Sequence, residues 1–193
     1  SFSGNSFIEQ SIKLISQFQP DGRIKNHLTI KRAHQGQGEK DWWYRSTNRD
    51  YIQVFVPPGS KLTNVIGATQ KTIKPMVNYE AGNFSVDQEL ALLEKPGSRI
   101  FGKTVFAKWL ETKAGTAKEL KLEYLNPYRF DLQPGPYRFV FEKQSGVGGS
   151  LGVTLEAPPG FQWKESGSAI FNYSNQDLPA RIVLDLSLVE APR

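Results

Sequence analysis

The chain has 193 residues, a formal net charge of +5, 38% hydrophobic residues, two histidines and no cysteine. That length fits one ordinary domain or two small ones. The missing cysteine excludes disulfides, thiolate metal sites and cysteine nucleophiles. No apolar run reaches the roughly 18 to 20 residues of a membrane-spanning helix, and Ser1 to Ser6 has neither the charge nor the apolar run of a secretory leader. The expectation is a fragment that begins inside a longer gene product.

Taken in order, Phe7–Phe18 and Arg23–Ala33 read as two strands around the turn Gln19-Pro20-Asp21-Gly22. Proline presets φ there and glycine ends the turn, so the pair is a hairpin. Period-2 alternation then predicts strands at Asp50–Val56, Lys61–Gly67, Ile100–Leu110, Lys118–Leu125, Tyr137–Lys143, Leu151–Ala157, Ala169–Tyr173 and Ala180–Val189. Helical periodicity is confined to Val86–Glu94, where Val86, Leu90 and Leu93 share a face after Ser85 and before Pro96-Gly97. The same stretch also reads as a short strand and loop. The fold class is therefore all-β, with antiparallel, immunoglobulin-like sandwich modules and at most one short helix in the 68–98 insertion.

A repeat underlies the strands. Gln19-Pro20-Asp21-Gly22, a strand, the glycine-rich Gln35–Gly38 and a strand closing on Pro57-Pro58-Gly59 recur later in the same order. Their counterparts are Gln133-Pro134-Gly135, a strand, the glycine-rich Ser145–Gly149 and a strand closing on Pro158-Pro159-Gly160. The pattern reads as two tandem modules, 1–126 carrying the insertion at 68–98 and a smaller 127–193 that packs on the first. One continuous sandwich whose strands share turn chemistry is the alternative.

The run Asn48 to Leu62 (NRDYIQVFVPPGSKL) resembles a signature of an uncharacterised bacterial family, domain of unknown function four-thousand-and-twelve. Pro20-Asp21-Gly22, Gly102 to Trp109 with Glu123-Tyr124 beyond it, and Lys143-Gln144-Ser145-Gly146 extend the resemblance, with Ser145 standing where the family tends to have proline. These motifs are strand ends and turns. The resemblance implies the β-rich C-terminal part of a membrane-anchored protein, extracytoplasmic and at the cell surface, and it carries over no catalytic residue.

The residues themselves argue against an enzyme. His27 reads as a strand-surface residue, and with His34 as its only partner a zinc site would need carboxylates for most ligands. Glu80, Asp87 and Glu89 in the insertion are carboxylates that could in principle face a sugar, and solvated loop carboxylates are the plainer reading. No calcium loop, phosphate-binding loop or nucleophile elbow is present. No cofactor is expected. Lysines and arginines interleave with acids along the chain, so no basic stripe for nucleic acid forms.

Trp42-Trp43-Tyr44-Arg45 are the candidate ligand-binding residues, because aromatic faces stack on sugar rings and arginine pairs with anionic groups. In an extended segment neighbouring side chains oppose each other, so one tryptophan is expected to anchor the core while the other faces solvent. The sequence reading is a non-catalytic extracytoplasmic scaffold or binding module at the bacterial cell envelope. Its partners would be an anionic envelope polysaccharide or another envelope protein, and it would meet the membrane only through an upstream anchor. The alternative is an accessory domain of an envelope-polysaccharide enzyme whose active site lies upstream.

Overall fold

The computed structural model describes residues 7–70, 78, 81–83, 97–144 and 148–192. Ile8–Phe18 (β1) and Ile24–His34 (β2) form the first hairpin, with Ile12 opposite Ile30 and Leu14 opposite Leu28. Gly22 N–H donates to the Gln19 carbonyl at 2.9 Å and Gln19 N–H to that of Arg23 at 2.8 Å, the three-residue loop that proline and glycine at these positions favour. Asn48–Val56 (β3), Lys61–Ile66 (β4), Ser98–Ile100 (β5), Lys103–Thr112 (β6), Ala117–Leu125 (β7) and Gly135–Glu142 (β8) follow. Ser150–Glu156 (β9), Phe161–Trp163 (β10), Ile170–Asn175 (β11) and Arg181–Glu190 (β12) complete the chain.

The fold is all-β. A six-stranded sheet has the order β11-β9-β1-β2-β7-β4, and two three-stranded sheets, β10-β12-β8 and β3-β6-β5, pack on it as a sandwich. Pairing among the described strands is antiparallel except for β1 with β9, where Leu14 lies beside Val153. The large sheet thereby takes strands from both 1–126 and 127–193, and the expected junction at Asn126-Pro127 lies between β7 and β8.

Alternation makes the core. Ile12, Leu14 and Phe18 of β1, Leu28 and Ile30 of β2, and Leu120 and Leu122 of β7 face inward, joined by Leu151, Val153 and Leu155 of β9. With Ile52, Phe106, Leu110, Ile182 and Leu186 from the smaller sheets they form one contiguous cluster. Removing a buried leucine of this kind costs about 2–5 kcal/mol. At one end Phe18 stacks edge-on to Phe130, Tyr137 and Trp163, with centroids 5.1, 5.1 and 5.3 Å away. Trp163 is 0% exposed and its indole N–H donates to the Leu155 carbonyl at 2.9 Å.

The strand expected at Ile100–Leu110 is divided. Phe101 and Gly102, with φ of 50° and 70°, turn β5 back onto β6 so that Ile100 faces Lys103. Two consecutive positive φ values make a type I′ turn, the form whose twist suits a hairpin. The short β10 had no counterpart in the strand pattern. The two Pro-Pro-Gly triplets share a geometry. Ser60 N–H and Phe161 N–H each donate to the first proline's carbonyl at 3.1 Å, and Gly59 and Gly160 have φ of 93° and 83°. These are type II turns, which require a residue that accepts positive φ at the third position. One leads from a small sheet into the large one, and the other leads out of it. The helix expected at 86–94 lies outside the described residues, as do Glu80, Asp87 and Glu89.

A clamped aromatic ledge as the candidate functional site

Between β2 and β3 the chain makes two short 3-10 turns, Gly36–Gly38 and Trp42–Arg45. The Asp41 carbonyl accepts from Tyr44 N–H at 3.2 Å and the Trp43 carbonyl from Ser46 N–H at 3.3 Å. The segment is thus coiled, which corrects the extended geometry expected for it. At three residues per turn, neighbouring side chains diverge by about 120° and residues three apart eclipse. Trp42 and Arg45 accordingly share a side, and Trp43 need not oppose Trp42.

Trp42 is 70% and Trp43 53% exposed, so neither tryptophan anchors the core as expected. Trp163 does. The two exposed rings meet edge-on at 6.0 Å. Tyr44 is the inward member of the group and packs edge-on to Phe7 at 4.9 Å. Arg45 is exposed beside them. The four residues form a ledge with two aromatic faces and a guanidinium in solvent.

His34, the buried last residue of β2, holds both ends of this loop. Its Nδ1 accepts from Gly36 N–H at 3.1 Å, and its Nε2–H donates to the Ser46 carbonyl at 2.9 Å. An amide N–H only donates, so the tautomer is fixed by its partners. Gly36 is required by close approach, since a β-carbon there would run into the Tyr44 carbonyl oxygen. Gln35 adds bonds from its amide to the Phe7 carbonyl at 2.8 Å and from its side chain to Glu9 at 3.1 Å. Sequence reasoning found the aromatic run and missed the histidine that fixes it. The glycine two residues after a strand-end histidine was the available signal.

The outer face of the six-stranded sheet offers a second, shallower feature. A depression of about 150 Å³ is lined by His27, Thr29, Asn64, Ile66, Lys121 and Glu123. A register shift in β4 between Leu62 and Asn64 lies beside it. His27 Nε2–H donates to Gln17 at 3.3 Å, while Lys25 approaches Glu123 at 3.3 Å and His27 Nδ1 lies 3.8 Å from it. Hydrogen bonding from Asn64 and Lys25 holds the Glu123 carboxyl below its usual range. His27 is a half-buried strand residue in this row. Among the described residues, no three His, Asp or Glu side chains gather closely enough to hold a metal ion, and no helix is long and apolar enough to cross a membrane. No family model matches the chain, and no curated protein matches it.

Proposed function

We propose that this chain is a non-catalytic binding module of the extracytoplasmic bacterial envelope that presents the Trp42–Arg45 ledge to an anionic polysaccharide. The observation that carries this reading is the exposed pair Trp42 and Trp43 on a loop that His34 holds at Gly36 and at Ser46. Scattered single apolar residues on a surface are ordinary. Two adjacent indoles held out by a hydrogen-bonded turn give stacking area with less ordering left to be done on binding. Arg45, on Trp42's side, supplies the charge that a carboxylate or phosphate of the glycan would meet. The surface location rests on the family resemblance of the 48–62 run.

The test is retention of the chain on immobilised polysaccharides bearing carboxylate or phosphate groups, against a neutral glucan. The expected result is salt-sensitive retention on the anionic polymers, lost in Trp42→Ala/Trp43→Ala and weakened in Arg45→Ala. Both variants should keep the wild-type thermal midpoint. Equal retention of wild type and the double variant removes the ledge as the binding surface.

A further inference from the structure

We propose that the sandwich interior between the ends of β2, β3 and β6 is a built site for bound water, formed by Arg32, Asn48, Asp50 and Thr112. Arg32 lies on the inward face of β2 between Ile30 and His34 and is 8% exposed. Asn48 and Asp50 alternate with Arg49 on β3, and Thr112, 0% exposed, stands opposite Asn48 on β6. Five buried atoms of this group have no hydrogen-bond partner among the described residues: Arg32 Nε and Nη1, Asn48 Oδ1, Asp50 Oδ2 and Thr112 Oγ1. Arg32 Nε and Asp50 Oδ2 are 3.8 Å apart, an ion pair beyond direct hydrogen-bonding distance.

Burying a polar atom without a partner costs about 1–3 kcal/mol, so a cluster of them persists only where something else completes the bonds. The guanidinium and the carboxylate balance each other, and an added ion would leave an uncompensated buried charge. A small neutral ligand is therefore required. The stoichiometry of bonds selects water. Arg32 offers only donors, Asn48 Oδ1 and Asp50 Oδ2 only accept, and the Thr112 hydroxyl does either. A buried water makes two to four bonds, donating two and accepting two, which matches such a set.

The polar group on the same inner face near the opposite end of β2 provides the contrast. Ser16 Oγ donates to Asn26 Oδ1 at 2.7 Å, and Asn26 Nδ2 donates to Asn126 Oδ1 at 3.0 Å. That group closes within the protein and needs no solvent. The water site also adjoins the aromatic ledge in sequence on both strands. Arg32 is two residues from His34, and Asn48 is two residues beyond the Ser46 carbonyl that His34 holds. The ledge thus rises from a hydrated polar end of the sandwich.

Water-selective rotating-frame NMR on the wild-type chain tests the site, with oxygen-17 relaxation dispersion as the count of long-lived waters. Expected are direct cross-peaks from water to Arg32 Hε and the Thr112 hydroxyl, and none to the Asn26 side-chain amide. The apolar variant Arg32→Met/Asp50→Leu/Thr112→Val should lose at least one long-lived water. Absence of both wild-type cross-peaks overturns the proposal, as does an unchanged count in a folded variant. If the variant does not fold, the wild-type cross-peaks decide.

Discussion

Four tryptophans of one chemical type divide their work by where the backbone leaves them. Trp163, on a strand of three residues, has its ring against Phe18 and Tyr137 and its N–H on the Leu155 carbonyl. Trp163→Ala would open a void the size of an indole and remove the hydrogen bond to that carbonyl, a loss of about 3–5 kcal/mol. Trp42→Ala, at an exposed position, should stay within about 0.5 kcal/mol of wild type. Urea midpoints of the two variants side by side check this, and a Trp42→Ala loss as large as that of Trp163→Ala would contradict the assignment. Asp50 gives the second residue-scale prediction. Burial pushes its carboxyl above the usual range, only partly opposed by the charge of Arg32, and burial lowers Arg32 in turn. Arg32 faces it from β2, and Lys108 lies on the same face of β6, two residues from Leu110, the partner of Asp50. A raised folded pKa means that the folded chain holds the proton more readily than the unfolded one. The stability this group contributes is complete below the ordinary aspartate range and is lost as pH rises through the folded pKa. Asp50→Asn removes that titration. Urea melts from pH 7 down to about 4 should therefore show wild type gaining on Asp50→Asn, and the opposite drift would mean that the Arg32 pair dominates burial.

At the scale of elements, the strands were legible because a half-buried strand writes its environment into its sequence with period 2. IKNHLTIKRA and ELKLEY show this, each inward position apolar except where Asn26 and Arg32 interrupt. Besides the short β10, two elements escaped. Trp42–Arg45 has no periodicity to read in four residues, and its coil is set by Asp41 and Trp43 carbonyls and by His34 from the preceding strand. The division of β5 from β6 was hidden because a phenylalanine occupies the first turn position. Phe101 is 83% exposed at φ 50°, a left-handed conformation that disfavours a bulky residue. Asn-Gly is the preferred pair for this turn, so Phe101→Asn should raise stability by about 1 kcal/mol. The thermal midpoint measures it. A drop would show that the Phe101 ring makes a contact worth more than the backbone cost.

For the whole molecule the decisive pairing is β1 with β9. Eleven residues of β1 run between β2 on one side and, over Ser11 to Gln17, β9 on the other. Phe18 then carries the same strand into the aromatic group of Phe130, Tyr137 and Trp163. A fragment of 127–193 keeps β8 to β12 but loses β1 from the edge of β9 and Ile12, Leu14 and Phe18 from its core. It should give a collapsed amide spectrum and no cooperative melt, while the full chain unfolds in one transition. A dispersed spectrum from the fragment would show that 127–193 stands alone.

The sequence by itself determined what local chemistry governs. It fixed strand positions through alternation, turns through proline and glycine, and the absence of thiol and disulfide chemistry through composition. Even the two Pro-Pro-Gly turns have the geometry their residues dictate. Only the tertiary structure decided that β9 lies along the second edge of β1, which tryptophan is buried, and that Arg32 and Asp50 stand 3.8 Å apart. Those depend on pairings across more than a hundred residues or on burial between sheets. Side-chain alternation states that a residue faces inward and is silent about what it faces.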